Sequence, residues 1–390
     1  MNIISQPAVE GRKSVGYLAL AAGAVIVMLA GLALLSAKLS EGAAHRDFIS
    51  YWSAAKLLAA HHNPYDSTAI LKLENDAGAS FINPLIMRNP PWSLFLVAPL
   101  GWWKAPIAVL LWTMSLIVIA LVSIRLLWTE RSKPVPLTAF LFAPVLACEM
   151  AGQISMFLLL GAALFFRLER KRPFAAGLAL TLLLLKPHLF LPFWPVLLLE
   201  VCRRRQFRML AGIAAGLAPA IGFAMHADPQ IWSHYLTAAR GENIATQYFP
   251  NLPCALRALV PGKPLWLQLL PALLCVGWAC WFWMRHRRHW DWSQHGSLLI
   301  AASVLTAPYS WVVDQALFLP AVLTGFALAS KQKAWMLSAV NLVAAVVVFR
   351  EASMSSPASL WMAPTWMIWC LWARAEDNPV TSTEQAVQPA

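Results

Sequence analysis

The chain has few charged residues. Only 12% of its 390 residues are Asp, Glu, Lys or Arg, whereas an ordinary soluble domain carries about a quarter. Hydrophobic residues make up 59% of the sequence, and its mean hydropathy is +0.60. These values argue against a soluble protein. Ten-residue segments that alternate between apolar and polar residues are absent as well, so the pattern of an outer-membrane barrel has no support.

Motifs that bind metals or nucleotides, or that form compact disulfides, are also missing. The chain has no H-E-x-x-H, no Asp-x-Asp pair, no Walker A loop and no C-x-x-C pair. His61 and His62 are adjacent, so their side chains point in different directions and make poor joint ligands. We therefore expect no metal. The six cysteines lie mostly inside apolar runs as small hydrophobic residues, and only a bridge between Cys148 and Cys254 stays open.

The net charge of +12 would suit a nucleic-acid-binding protein, but the positions of the charges argue against it. Such a protein needs its basic residues on one soluble face. Here they form short clusters between apolar runs, which is typical of the cytoplasmic loops of a membrane protein. The clusters lie at residues 12–13, 125–133, 167–172, 203–208, 285–288 and 331–333.

Runs of about 20 apolar residues predict membrane-crossing helices, because lipid offers no hydrogen-bond partner to a free backbone group. With each basic cluster placed inside, we predict an all-α polytopic helical bundle of about 12 membrane segments, with both termini cytoplasmic. Residues 1–374 form one domain with outer loops at 38–90 and 226–263, and residues 375–390 form a disordered cytoplasmic tail. The predicted segments are residues 16–37, 105–127, 136–150, 152–166, 174–185, 189–202, 209–226, 265–284, 296–308, 315–330, 334–349 and 359–373. The four between 136 and 202 are short, and fit half-helices that line a cavity.

Polar residues that interrupt the apolar runs all fall on the outer side of this topology. Ionisable groups near membrane depth are costly, so a one-sided collection of them indicates a polar cavity open to the periplasm. The alternative is that they lie in solvated loops at the membrane interface. These residues are Asp47, Glu149, Gln153, Lys186, His188, Asp314 and Arg350.

The first outer loop contains a stretch with helical periodicity. Its apolar residues between Phe48 and Ala59 are three or four positions apart and share one face. We therefore predict an amphipathic helix along the outer membrane surface, with Tyr51 and Trp52 at the level of the lipid headgroups. Pro64 ends this helix, and Asp66 caps a second, short one.

Asp47 stands at the start of the amphipathic helix, and two roles are open to it. As an N-cap, its carboxylate accepts hydrogen bonds from backbone N–H groups, which lower its pKa. As a general base at the mouth of a low-dielectric cavity, it has a raised pKa and takes a proton from an acceptor hydroxyl. The sequence leaves both roles open.

The motifs of this loop resemble those of glycosyltransferase family 87, membrane enzymes of the GT-C superfamily that use polyprenyl-phosphate sugars and include mannosyltransferases. The matching motifs are D-F-x-x-Y-W-x-A at residues 47–54, N-P-Y-D at 63–66 and N-P-P-W-S-L-F-L-V-A-P-L at 89–100, with weaker matches at Gly152-Gln153, Lys186-Pro187 and residues 307–323. The resemblance implies many transmembrane helices and a catalytic carboxylate in the first outer loop. Asp47 is the position that would carry it.

The resemblance also implies a reaction. A mannose-like hexose would pass, with inversion, from a polyprenyl-phosphate sugar to a hydroxyl of a lipid or glycan acceptor, at the periplasmic face of the bacterial inner membrane. Asp47 alone suffices as general base, because the leaving phosphate needs little protonation. Lys186 and Arg350 are the candidate cations for that phosphate, although each also fits a cation that extends to the membrane interface. Further candidate substrate-binding residues are Gln153, His188, Asp314, Tyr51, Trp52 and Asp66. We expect no cofactor besides the lipid-linked donor.

One motif departs from the family pattern. The resemblance leads us to expect a histidine soon after Trp311, but Val312, Val313 and Asp314 follow. Asp314 is the candidate to replace it in part, or the donor sugar differs.

Two other functions stay open at this point. Paired short helices and a polar cavity also suit a transporter or flippase of a lipid-linked or small polar substrate. Transport needs a polar path to the inside, however, and the polar residues here are biased outwards. A non-catalytic partner in a membrane assembly is the second alternative.

Overall fold

A computed structural model describes residues 47–130, 134–241, 247–350 and 356–375, and the secondary structure of these residues is entirely helical. The predicted first membrane helix at 16–37 and almost all of the predicted tail lie outside the described residues. The α-helices in chain order are α1 (Phe48–Ala59), α2 (Ser67–Asp76), α3 (Leu94–Val97), α4 (Ala105–Leu127), α5 (Leu137–Phe140), α6 (Ala143–Ala151), α7 (Ser155–Leu168), α8 (Pro173–Leu180), α9 (Phe193–Arg204), α10 (Phe207–Ala227), α11 (Ile231–Gly241), α12 (Leu252–Ala258), α13 (Trp266–His286), α14 (Ser297–Thr306), α15 (Leu319–Leu328), α16 (Lys331–Arg350) and α17 (Met362–Arg374).

Short helical turns of other types link them. Seven are 3-10 turns, at Pro91–Ser93, Ala98–Trp102, Leu183–Leu185, Pro187–Phe190, Arg287–His289, Val312–Phe318 and Pro357–Ser359, and a π-helical turn lies at Trp292–Gly296.

Four helices in the described part of the chain are long and apolar enough to cross a membrane: Ala105–Leu127, Phe207–Ala227, Trp266–His289 (α13 with the turn that follows) and Lys331–Arg350. They confirm the predicted segments 105–127, 209–226, 265–284 and 334–349. The 23 residues of α4 extend over about 35 Å, enough for a hydrocarbon core about 30 Å thick. Leu111, Val118 and Leu273 on these helices are exposed, as contact with lipid requires. The chain is a multi-pass membrane protein.

The segments that the sequence marked as short are indeed short helices. The predicted helix at 136–150 breaks at residues 141–142 into α5 and α6. The eight residues of α8 extend over only about 12 Å, and α8 is followed by a 3-10 turn at Leu183–Leu185. α8 lies directly against α10, since a Cβ on Gly177 would be 2.0 Å from the backbone oxygen of Met209. Contact through glycine is a common way for membrane helices to pack closely.

Three connections predicted for the cytoplasmic side meet one another. Arg170 Nη2 lies 2.8 Å from Asp291 Oδ2, and Arg204 Nη2 donates to the backbone oxygen of Trp290 at 2.9 Å. Arg204 also pairs with Glu169 at 3.5 Å. The connections after α7, α9 and α13 therefore lie at one end of the helices, as a topology with its basic loops on one side requires.

The prediction of an amphipathic surface helix in the first outer loop is half correct. The helix exists as α1, but ten of its twelve residues are buried, including Ser50 and Ser53 on its polar face. Lys56 donates to the backbone oxygen of Gly101 at 3.1 Å. The polar face is therefore covered by other parts of the protein. Tyr51 and Trp52, both predicted at headgroup level, are buried in the protein, and Trp52 Nε1 donates to the backbone oxygen of Trp103 at 3.1 Å.

The cap predicted for the second short helix is confirmed. Asp66 Oδ1 accepts hydrogen bonds from Thr68 N at 2.9 Å and Ala69 N at 3.0 Å, at the start of α2. The six cysteines are all free, so the bridge between Cys148 and Cys254 is not formed.

We expect the stability of the protein to depend on pH through Glu74 of α2. Its side chain is fully buried, both carboxylate oxygens lie 3.2 Å from Leu85 N, and burial raises its pKa to about 7 from 4.5. Because the folded state keeps the proton over a range where the unfolded chain loses it, the contribution of Glu74 to stability is greatest below about pH 4.5 and falls as the pH rises to about 7. Glu74→Gln should flatten this fall in thermal unfolding of the detergent-purified protein. Asp76→Asn, at an exposed position of the same helix, should leave the slope unchanged. An unaltered slope in Glu74→Gln would contradict the assignment.

Candidate active site

A buried ion pair forms the base of a polar cluster. Lys186 Nζ donates to Asp314 Oδ1 at 2.7 Å, to Ser155 Oγ at 3.0 Å and to Gln153 Oε1 at 3.1 Å. Ser155 Oγ in turn donates to Asp314 Oδ1 at 2.6 Å, and Trp311 N donates to Asp314 Oδ2 at 3.0 Å. An ammonium has three donors, and all three of Lys186 are used. The pair is therefore well satisfied, as a charge buried in a protein must be.

Gln153 connects this ion pair to Asp47. Its Oε1 accepts from Lys186 and, at 2.8 Å, from the hydroxyl of Tyr51, while its Nε2 donates to Asp47 Oδ2. The orientation of the amide is unambiguous, because Lys186 can only donate and a carboxylate only accept. Asp47, Tyr51, Gln153, Lys186 and Asp314 therefore form one continuous hydrogen-bond network.

The geometry bears on one of the two roles that the sequence left open for Asp47. Its side chain makes no capping hydrogen bond to α1, so the N-cap role is wrong. Only its backbone oxygen takes part in the helix start, accepting from Ser50 N at 3.1 Å and Ser50 Oγ at 2.7 Å. The carboxylate accepts from Gln153, and Asp47 is more exposed than the other members of the network, which are all buried.

Gly152 explains why Gln153 can reach Asp47. It ends α6 with φ +67°, in the left-handed region, and a Cβ there would lie 2.8 Å from the Cβ of Phe48, the residue after Asp47. Its backbone oxygen accepts from Trp112 Nε1 at 2.7 Å. The end of α6 and the start of α1 therefore touch at a point where only glycine fits.

The electrostatic surroundings of Asp47 suit a base. Burial raises its pKa above the ordinary value, whereas the hydrogen bond from Gln153 and the positive charge of Lys186 act against that shift. Asp314 raises the pKa further, and the charge of Arg88 lowers it slightly. The carboxylate is therefore more basic than a solvated aspartate and is held in place by its neighbours.

An aromatic wall lies beside the network. The ring of His188 stacks on Tyr309 with a centroid distance of 3.8 Å, and burial lowers the pKa of His188 to about 3. His188 is thus neutral at ordinary pH. Phe249, in the loop predicted at 226–263, packs on Tyr309 at 5.7 Å and on Trp311 at 5.3 Å and so extends this aromatic wall.

Comparison with known proteins identifies the family of the chain. A family model, Glycosyltransferase family 87, matches residues 88–313, more than half of the chain. The chain belongs to glycosyltransferase family 87. It is therefore a membrane glycosyltransferase, and the resemblance seen in its motifs is confirmed. Membership implies a lipid-phosphate sugar donor and an acceptor. No curated protein and no solved structure matches the chain.

The matched range of this glycosyltransferase includes Gln153 and Lys186 but neither aspartate of the network. It begins after Asp47 and ends one residue before Asp314. The hydrogen bonds of Gln153 and Lys186 nevertheless join both aspartates to the matched region.

The remaining predicted site residues lie apart from the network. Asp66 is exposed and caps α2, and Trp52 is buried against the backbone of Trp103. Arg350 is exposed at the end of α16, and no contact between described residues joins it to the network. Glu149, predicted among the outer polar residues, is buried in α6, and its carboxylate has no hydrogen-bond partner within the described residues.

Sequence reasoning missed three residues of this glycosyltransferase. Ser155 bridges Lys186 and Asp314, but a single serine at the start of a helix gives no signal. Tyr309 stacks on His188. It lies in the motif at residues 307–323, where the sequence drew attention only to Trp311 and Asp314. The charge of Arg88 lowers the pKa of Asp47. Its position directly before the N-P-P-W motif was a signal that could have identified it.

Gly152→Ala tests how the glycosyltransferase positions Gln153. The positive φ and the contact with Phe48 should together cost about 1–3 kcal/mol of stability and displace Gln153 from Asp47, so transfer falls. Thermal unfolding and the turnover number measure the two effects. The matched control is Gly222→Ala, at an exposed helical position where nothing lies within 4 Å of the new Cβ. Equal behaviour of the two variants would contradict the prediction.

Proposed function

We propose that this glycosyltransferase moves a mannose-like hexose, with inversion, from a polyprenyl-phosphate sugar to a hydroxyl of a lipid or glycan acceptor. The observation that carries the proposal is the state of Asp47: partly exposed, with a raised pKa, free of any capping role and fixed by Gln153. A carboxylate of this kind is a suitable general base.

The reaction follows from this arrangement. Asp47 accepts the proton of the acceptor hydroxyl while the oxygen of that hydroxyl bonds to the anomeric carbon of the sugar. The bond from that carbon to the phosphate oxygen breaks, and the electron pair leaves with the polyprenyl phosphate. Gln153 and Lys186 are positioning residues: Lys186 donates to Gln153, and Gln153 fixes the carboxylate of Asp47. Tyr51 supports the same amide oxygen.

Lys186 and Arg350 were the predicted cations for the leaving phosphate. All three donors of Lys186 are used within the protein, and its charge balances Asp314. We therefore propose that Lys186 acts through Gln153 and Asp314, and that the phosphate is bound elsewhere. Arg350 is exposed and apart from the network. His188 and Tyr309 offer a neutral aromatic surface for the sugar.

The proposed topology places this reaction on the periplasmic face of the bacterial inner membrane. Residues 1–374 would form one domain of about 12 membrane segments with both termini in the cytoplasm. Two observations support it. The connections at residues 152–153, 186–188 and 311–314, all predicted to be outside, meet in the polar network. The basic connections meet at another place, around Arg204 and Asp291.

The function can be tested with purified protein in liposomes. A panel of polyprenyl-phosphate monosaccharides is supplied with an extract of membrane lipids and glycans as acceptor, and release of polyprenyl phosphate together with a new glycosylated product is measured. One donor should be consumed with an inverted anomeric configuration in the product. Labelled donor that crosses the bilayer with no product formed would instead support a transporter or flippase.

A further inference from the structure

Two arginines from the two outer loops meet at one residue, Gln247. Arg88 Nη1 donates to Gln247 Oε1 at 2.8 Å, and Arg257 Nη2 donates to the backbone oxygen of Gln247 at 2.9 Å. Arg88 precedes the proline-rich return of the first outer loop, and Arg257 lies in α12 of the second. Gln247 thereby brings two guanidinium groups to one place.

The buried guanidinium of Arg257 lacks the partners that a buried cation needs. Its side chain is only 4% exposed, and it forms no ion pair with any described residue. Two of its three guanidinium nitrogens, Nε and Nη1, are buried without a hydrogen-bond partner in the described part of the chain. A buried cation without a counter-charge is costly, and so are buried donors without acceptors. An anion with several oxygens would satisfy both requirements.

The arginine pair is held at the edge of the active site. Asn89, the neighbour of Arg88, donates to the backbone oxygen of Leu185 at 2.9 Å, directly before Lys186. Trp92 donates to the oxygen of Leu184 at 3.0 Å, which fixes the same segment a second time. Arg88 itself is exposed.

Asn251 and Phe249 attach the second outer loop to the segment around Tyr309. Asn251 caps α12 by accepting from Cys254 N at 2.9 Å, and its Nδ2 lies 3.4 Å from the backbone oxygen of Ala307 and from Ser310 Oγ. Phe249 packs on Tyr309. The loop that carries Arg257 is therefore docked on the segment that leads to Asp314.

We propose that Arg88 and Arg257, joined by Gln247, bind the phosphate of the prenyl-phosphate donor. Guanidinium groups bind phosphate through paired, charge-assisted hydrogen bonds, and two of them neutralise the charge that develops on the leaving group. In this arrangement the sugar would lie between the bound phosphate and Asp47. This inference rests on the proposed function, because it assigns the donor of that reaction.

The charge of Arg88 also acts on the groups of the active site. It lowers the pKa of Asp47 and also that of Tyr309, whereas burial acts on both in the opposite direction and more strongly. A phosphate bound at Arg88 would thus be near both the base and the aromatic wall.

The test is direct binding of farnesyl phosphate, a short prenyl phosphate, to the purified protein in nanodiscs. Arg88→Gln and Arg257→Gln should each weaken this binding about tenfold or more, the effect of losing charge-assisted hydrogen bonds. Arg88→Lys should restore only part of it, because an ammonium cannot bind in a paired fashion. Farnesol, which lacks the phosphate, should bind all of these proteins equally. The control variant is Lys263→Gln, which removes an exposed cation of the loop that also carries Arg257 and should bind like the wild type.

Other results would overturn the inference. Unchanged affinity for farnesyl phosphate in both Arg88→Gln and Arg257→Gln excludes this phosphate site. Inorganic phosphate that binds at the same place as tightly as farnesyl phosphate would show a site for the free ion rather than for a lipid. Asp47→Asn separates the two proposals: full turnover in that variant would remove the proposed mechanism and leave the binding result standing.

Discussion

Asp47→Asn is expected to reduce transfer by about 10²- to 10⁴-fold while the protein stays folded and inserted. The amide of Asn keeps an oxygen that can accept from Gln153 Nε2, so the network and the start of α1 are preserved. What is lost is the capacity to take a proton from the acceptor. The measurement is the rate of polyprenyl phosphate release at saturating donor.

The pH dependence of the wild type supplies a second test of the same assignment. A general base works only when deprotonated, and burial raises the pKa of Asp47 above 3.8. Turnover should therefore fall as the pH drops through this raised pKa, and the residual turnover of Asp47→Asn should lack that acid limb. Asp76→Asn, an exposed carboxylate of the same outer loop, should behave like the wild type in both experiments. Undiminished transfer in Asp47→Asn would refute the role.

The long membrane helices were predictable from sequence because lipid imposes a strict condition on them. A run of about 20 apolar residues has few alternatives to a spanning helix, and α4 begins and ends at the predicted residues, 105 and 127. The short helices were less predictable. The break at residues 141–142 and the 3-10 turn after α8 depend on how neighbouring helices satisfy the freed backbone groups.

The first outer loop shows what periodicity cannot reveal. Apolar spacing correctly predicted α1, but spacing says nothing about what covers the polar face. Ser50 and Ser53 are small enough to be buried, and Ser50 Oγ finds an acceptor in the backbone oxygen of Asp47. α1 is therefore buried inside the protein although its sequence is amphipathic.

The candidate site was predictable in its members but not in its connections. Asp47, Gln153, Lys186 and Asp314 stand out as polar interruptions on one side of the predicted topology. Their pairing does not follow from sequence, since Lys186 and Asp314 are 128 positions apart. Arg257 gave no signal at all: one arginine in a polar loop is ordinary, and only its burial makes it unusual.

The interpretation of Lys186 as a positioning residue leads to the second large effect. Lys186→Met would leave Asp314, which is 1% exposed, without its counter-charge, and should reduce stability by about 3–5 kcal/mol. If Lys186 instead served only to bind the donor phosphate, the variant would raise KM and leave stability unchanged. Thermal unfolding and steady-state kinetics of the same preparation distinguish these outcomes.

A second substitution makes the prediction sharper. Lys186→Met combined with Asp314→Asn removes both charges, so most of the lost stability should return, because the cost of the single variant is an uncompensated buried charge. Turnover should not return, since Gln153 Oε1 still lacks its donor from Lys186 and the carboxylate of Asp47 is less firmly held. Lys56→Met is the matched control: Lys56 donates to a backbone oxygen, that of Gly101, and its loss should cost only about 1 kcal/mol. A double variant as unstable as Lys186→Met alone would show that the buried charge of Asp314 is not the reason for the loss.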